Sequence, residues 1–192
     1  MQDKLIHYFS KNTPLTPEEE KVLVDSMTIK QYKKGELVVE EGQRSLESFF
    51  VLQGLVRQFK WVDGEDKTTN FFTEEQWIIS SHDTTGNAIA EDNLICMEDT
   101  ALVTGDEEKA VQLFQKFPRF ESISRQIVEA SFREQQTLMA SYITDKPEQR
   151  YLNLMKNRPD VLQRVPQYDI ATFIGVKPES LSRIRKKLHN KS

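Results

Sequence analysis

Cysteine occurs once in these 192 residues, at Cys96. A single thiol can form neither an internal disulfide nor a cysteine-only metal or iron–sulfur cluster. Leu94, Ile95 and Met97 surround it, so a buried, unreactive thiol is expected. Histidine is nearly as scarce. His7, His82 and His189 are far apart and offer no metal-ligand spacing. His82 sits in a polar Ser-Ser-His-Asp run, which reads as a loop rather than an axial haem ligand. No apolar run approaches membrane-spanning length, and the first eleven residues lack the apolar core of a signal peptide. The expectation is a cytoplasmic protein with no membrane partner. There is also no nucleophile elbow, phosphate loop or pair of catalytic carboxylates. Glu40-Glu41 and Glu74-Glu75 lie beside turn glycines or in loop-like sequence and read as solvated turns. No catalytic residue, no metal and no enzyme activity are expected.

What the chain does have is segregated charge. Its net charge of −4 is small. Residues 145–192 nevertheless hold eleven Lys and Arg against five Asp and Glu, a net of +6. Residues 1–144 hold fifteen against twenty-five, a net of −10. A basic C-terminal quarter on an acidic body suggests one module that meets phosphate and another that does not.

The pattern along the chain changes twice. Leu5, Ile6 and Phe9, then a Thr16-Pro17-Glu18-Glu19 helix start leading to Val22, Leu23 and Met27, make residues 1–26 helical. From Ile29, short apolar or β-branched runs alternate with Gly35, Gly42, Gly54 and Asp63-Gly64. Strands are expected at 37–39, 48–52, 55–62, 67–72, 77–79, 94–97 and 101–104, with Asp63-Gly64 as a hairpin turn. Such spacing means a sandwich or barrel. After Asp106 the helical period returns with Val111 and Leu113-Phe114. Ile123, Ile127, Ala130, Leu138 and Tyr142 then recur over more than twenty residues without a breaker. That thin stripe suits a helix pairing with its copy, so Ile123, Ile127, Ala130 and Leu138 are the expected dimer contacts. Lys146-Pro147 ends it. A short helix over 148–158 is closed by Asn157-Arg158-Pro159.

Residues 167–184 carry the strongest functional signal. Counting Gln167 as one, apolar residues fall at four (Ile170), eight (Ile174), ten (Val176), fifteen (Leu181) and eighteen (Ile184). Ala171 stands at five, where two crossing helices need a small residue, and Gly175 at nine, where the turn needs a left-handed backbone. Pro178 would open the second helix at the one position where proline is tolerated. The residues left over on that helix are polar and mostly basic: Glu179, Ser180, Ser182, Arg183, Lys186 and Lys187. This is the grammar of a helix-turn-helix whose second helix reads a DNA groove. A helical hairpin with a solvated basic face is the plainer alternative.

The order is thus helix, glycine-punctuated β-roll, long helix, helix-turn-helix. With Lys34-Gly35-Glu36, Glu41-Gly42, residues 50–57, Asp63-Gly64, Asn70-Phe71-Phe72, residues 97–100, residues 146–151 and residues 167–188, it resembles the Crp/Fnr family of bacterial transcription regulators, most closely the short, wingless members of Bacteroidetes-type bacteria. The fold this implies is α+β. An antiparallel β-roll or jelly roll with flanking helices (1–117) would sense, a long helix (118–144) would dimerise, and a helical helix-turn-helix domain (145–192) would bind DNA. The sequence ends just past the recognition helix at Ser192, so no wing is expected, and anchoring would rest on residues 185–191 and the preceding helices.

The resemblance makes 178–188 the recognition helix. Glu179 matches a glutamate that accepts from cytosine, and Arg183 an arginine that donates twice to guanine. Ser180 and Lys187 would touch phosphate and Lys177 a phosphate or flanking position, with Lys186 on the same face. Pro178 replaces another base-reading arginine of many relatives, so site preference should differ. Lys177 replaces the usual Ser or Thr cap. The effector pocket would involve Phe72, Glu75, Gln76, Trp77, Glu91 and Asp92. Cyclic-nucleotide binders carry Gly-Glu and Arg-Ser/Thr pairs there. Here the two stretches read Glu74-Glu75-Gln76-Trp77 and Ala90-Glu91-Asp92-Asn93-Leu94, with Glu75 at the glycine's place and no arginine. Phosphate would be repelled, so tight cyclic AMP binding is not expected and no cofactor is implied. The expected partners are double-stranded DNA and a second copy of the chain, with a small-molecule effector and RNA polymerase as further candidates. The competing expectation is a ligand-binding or scaffolding β-roll whose helix-turn-helix does not read DNA.

Overall fold

The computed structural model describes residues 2–11, 14–44, 47–79, 89–105 and 107–190. His82 lies outside them. The described elements run α1 (Gln2–Ser10), α2 (Pro17–Asp25), β1 (Met27–Tyr32), β2 (Leu37–Val39), β3 (Phe49–Gln53), β4 (Val56–Val62), β5 (Glu65–Phe72), β6 (Trp77–Ile78), β7 (Asn93–Cys96) and β8 (Thr100–Gly105). Then come α3 (Glu107–Lys116), α4 (Pro118–Thr144), α5 (Pro147–Asn157), α6 (Pro159–Arg164), α7 (Gln167–Phe173) and α8 (Pro178–His189). Two antiparallel sheets, ordered β1-β8-β3-β6 and β2-β7-β4-β5, form the roll.

Local chemistry explains most boundaries. Thr16 caps α2 in a full capping box with Glu19. Asp63 (φ 53°) and Gly64 (φ 78°) both take the left-handed backbone that a two-residue hairpin needs, and Val62 pairs Glu65 across them. Gly54 (φ 103°) admits no side chain, since a Cβ there would stand 2.8 Å from the Thr100 Cα. The strands fall where alternation placed them. β1 is an addition: Met27–Tyr32 pairs with β8 along its whole length. Its half-buried pattern hid it behind the preceding helix signal.

Alternation also divides the core. Phe49, Val51 and Leu102 point between the sheets with Val39, Val56, Phe72, Ile78, Leu94 and Cys96. Phe50, Leu52, Ala101 and Val103 point the other way and meet Leu5, Phe9, Leu23, Leu113 and Phe120 from the helices. Cys96 is buried, and burial pushes its thiol up to about 11, as the apolar neighbours suggested. α4 continues this second cluster through Phe120 in its first turn. Beyond it α4 is largely exposed. No described helix is long and apolar enough to cross a membrane.

A third cluster holds the C-terminal module. Tyr151, Leu154, Val161, Val165, Ile170, Ala171, Ile174 and Leu181 pack with Leu55 and Phe71 of the roll. The two regions therefore share one apolar core. α6 is a further addition. Pro159 both closes α5 and opens the next helix, and Val161, on α6, is fully buried.

Candidate nucleic-acid interface

The helix-turn-helix is built as its sequence grammar requires. Ile170 is 3% exposed, Ala171 0%, Ile174 1% and Leu181 1%. Gly175 takes φ 73° between α7 and α8. A Cβ there would come within 3.6 Å of the Arg150 guanidinium and the Tyr142 ring. That is ordinary contact, so the left-handed backbone is what requires glycine here, and the neighbour on this side is Arg150. It stacks 5.1 Å over Tyr142 and donates to the carbonyls of Ile174 (2.9 Å) and Asp145 (2.6 Å). One side chain thus joins the end of α4 to the turn.

Pro178 is the first residue of α8, and its N-cap is Lys177, which makes no side-chain cap. Lys177, Glu179, Arg183, Lys186 and Lys187 are exposed, and Ser180 is half-buried. Ser180 accepts from Arg183 Nη2 at 3.0 Å. Lys187 is paired with Glu148 of α5 at 2.5 Å, so a phosphate contact would require it to change partner. The exposed face is basic, and its only acid in the first turn is Glu179.

The docking of this module on the roll was not visible in the sequence. Arg57, on β4 and 7% exposed, binds Asp66 Oδ2 (2.6 Å), Asp169 Oδ1 (3.1 Å) and Thr68 Oγ1 (2.8 Å). Burial pushes the Asp169 carboxyl up, against the pull of Arg57. Thr172 Oγ1 donates to Thr68 Oγ1 at 2.9 Å, and the rings of Phe71 and Phe173 lie 5.2 Å apart. Arg158 donates to Thr73 Oγ1 and Gln76 Oε1, both at 3.1 Å. Arg164 grips both oxygens of Glu74 (2.9 and 3.0 Å) and both of Glu98 (2.5 and 3.3 Å). Glu74 also accepts from the Gly54 amide at 2.9 Å. Burial raises the Glu74 carboxyl, but these donors hold it below its usual range. The reading of Glu74 as a solvated turn residue is therefore corrected: it anchors the C-terminal module. The β4–β5 hairpin also reaches α7, where Asp66 beside the Tyr168 hydroxyl raises its pKa. An arginine next to core Val56 and two residues before core Phe59 on β4 was the advance hint.

The expected dimer residues Ile123, Ile127, Ala130 and Leu138 have different surroundings within one protomer. Ile123 packs against the roll's helical core, and Ile127 and Leu138 line cavities on their own protomer. Ala130 is exposed at a cavity rim. The most exposed apolar side chains of α4 are Val128 (49% exposed), Phe132 (61%), Met139 (69%) and Ile143 (80%), and Val128 and Phe132 also border the cavity that Ile127 lines. The 3.6-residue period gave the stripe but not which side the roll would cover.

The residues expected at an effector pocket do meet. Phe72, Glu75, Gln76, Trp77, Glu91 and Asp92 line one cavity of about 650 Å³ between the roll and α4. Glu75 adopts φ 65°, the left-handed backbone for which glycine is suited, and pairs with Lys11. Sequence reasoning missed Lys60, Thr69 and Asn70 on its wall. Among the described residues no group of three or more His, Cys, Asp or Glu stands ready for a metal ion.

No family profile and no curated protein matches the sequence. Solved structures match the fold. FixK2 from Bradyrhizobium japonicum is 15% identical over 86% of this chain and 85% of its own, with a TM-score of 0.71. CLP from Xanthomonas campestris, a c-di-GMP responsive global regulator, is 19% identical over 92% and 93%, with a TM-score of 0.68. A protein from Eubacterium rectale assigned to the Crp/Fnr family of transcriptional regulators is 14% identical over 96% and 88%, with a TM-score of 0.68. The chain has the Crp/Fnr fold. At these identities the likeness is one of architecture: an antiparallel roll, a long helix and a helical C-terminal module in this order. Within it α8 presents its polar face to solvent.

Proposed function

We propose that this protein is a sequence-specific DNA-binding transcription regulator that acts as a homodimer. The observation that carries the reading is α8: its apolar side is locked into the core by Leu181, while Lys177, Glu179, Arg183, Lys186 and Lys187 face outward. Such a helix fits a major groove. Arg183 would donate to a guanine and Glu179 would accept from a cytosine, while Lys177, Ser180, Lys186 and Lys187 would sit on or beside phosphates. The outward stripe from Val128 to Ile143 supports pairing through α4 with a second copy, because so much apolar side chain on one helix face favours a partner. Two copies would place their recognition helices in successive major grooves, roughly 34 Å apart, on a near-palindromic site.

The cavity supports a regulator that does not answer to cyclic AMP. Among the described residues Lys60 is the only basic one of its lining, against Glu75, Glu91, Asp92 and Glu134. Isothermal titration with cyclic AMP is expected to show no tight binding; a low-micromolar constant would reverse this point. RNA polymerase remains the expected partner of an activator, and catalysis is no part of the reading.

The test is selection of bound duplexes from a random DNA pool, with wild type and Arg183→Ala side by side. The expected result is a palindromic motif in which the variant relaxes one base pair. A scaffold would enrich nothing at any salt concentration. A DNA-binding dimer loses affinity steeply as salt rises, because phosphate contact releases counterions.

A further inference from the structure

Glu179 and Arg183 stand four residues apart on α8, with the acid nearer the N-terminus. That is the spacing and the order at which exposed side chains pair along a helix. The chain holds such a pair elsewhere. Glu121 and Arg125 of α4 follow the same order, are also exposed, and lie 3.9 Å apart. On α8 the pair does not form. Among the described residues Glu179 makes no ion pair, and Arg183 Nη2 donates instead to Ser180 Oγ at 3.0 Å.

That choice of partner bears on base reading. A carboxylate bound to a guanidinium on its own helix is less free to accept from a cytosine, and the guanidinium is less free to offer its fork to a guanine. An ion pair here would compete with both base contacts at once. Ser180 is placed to prevent it. It is half-buried, its backbone N–H donates to the Lys177 carbonyl at 2.9 Å, and the next residue, Leu181, is locked in the core. Its hydroxyl therefore stands on a fixed part of the helix. A guanidinium has five donors, so one given to Ser180 still leaves a fork for a base. The serine oxygen accepts, so its own proton stays available to a phosphate.

We propose that Ser180 is a positioning residue for base recognition: it draws Arg183 away from Glu179, so that both remain available to bases. On DNA the same hydroxyl can donate to a phosphate, which joins the register of the backbone to the placing of the arginine. The inference rests on the DNA reading proposed above and gives Ser180 a role beyond phosphate contact. Phosphate contact alone adds affinity to every duplex, whereas positioning adds discrimination between duplexes. Holding the arginine before DNA arrives also lessens the side-chain freedom lost on binding.

The test is competition between the duplex selected by wild type and duplexes changed at single base pairs. Ser180→Ala should keep its melting transition and lose about tenfold of its preference at the base pair read by Arg183. Ser180→Thr keeps the hydroxyl and should retain that preference. Adding Glu179→Gln to Ser180→Ala removes the carboxylate that captures Arg183, and should restore most of the preference at the Arg183 base pair. A Ser180→Ala protein that weakens on all duplexes alike, with its preferences intact, would reduce Ser180 to a phosphate contact and overturn the proposal. A double variant no more selective at that base pair than Ser180→Ala would overturn it as well. A wild type that enriches no duplex is a different failure: it removes the DNA reading itself, and the role of Ser180 with it.

Discussion

The arginines of the C-terminal half divide into two populations with opposite fates. Arg158 and Arg164 lie half-buried at the seam with the roll, and each is saturated by named acceptors on the other side. Arg57 reaches the same seam from the roll and is 7% exposed. Arg183 and its neighbours on α8 are exposed, and among the described residues the acceptor Arg183 meets is Ser180, one turn earlier on the same helix. The two sets cannot be told apart by charge counts. The excess of +6 in residues 145–192 includes cations that hold the module in place and cannot also meet phosphate. A net charge states what a segment carries; burial and pairing decide what it can present.

The largest expected effect separates the two populations by stability. Arg57→Ala leaves Asp169 in the seam without its partner and should cost about 3–5 kcal/mol in urea denaturation, as breaking buried ion pairs does. A loss below about 1 kcal/mol, the scale of an exposed pair, would mean that the seam is open in solution. Arg183→Ala should do the reverse. Its melting transition should stay within about 0.5 kcal/mol of wild type, while affinity for the selected duplex falls by about 1–3 kcal/mol with preference lost at one base pair.

Smaller changes sharpen the boundary. Lys187→Ala should lower the slope of log affinity against log salt by about 1 if Lys187 leaves Glu148 for a phosphate, and leave the slope unchanged if the ion pair persists on DNA. Acid should loosen the seam through Glu74. Its folded pKa lies below the unfolded value, so its contribution is complete above the ordinary glutamate range and fades as pH falls through the lowered pKa. Asp169 has the opposite sign: its folded pKa is raised, so its contribution falls as pH rises through that value. Limited proteolysis of the α4–α5 junction across the acid range, in wild type and Glu74→Gln, separates the two. The Glu74→Gln protein should lose the acid-sensitive step.

Much of the architecture was legible because it is written in local rules. Asp63-Gly64 specifies its turn wherever it stands between strands, and the Thr16–Glu19 box starts a helix without help from distant residues. The Ala171, Gly175 and Pro178 spacing reports a helix crossing that involves only a short segment. β1 and α6 escaped because their signals are half-buried or overlap a closing proline, and the pairing partner of β1, β8, is remote in sequence.

The sequence by itself determined the order of elements, the helix-turn-helix and the face of α8 that points outward. Each depends on periodicity and on backbone preferences acting over a few residues. Tertiary structure alone decided which side of α4 the roll covers, that Arg57, Arg158 and Arg164 are bound at a seam, and that Lys60, Thr69 and Asn70 stand on the cavity wall. Those facts join residues up to about a hundred positions apart, such as Thr68 and Thr172. Periodicity fixes the direction a side chain points; only the folded chain fixes what it meets.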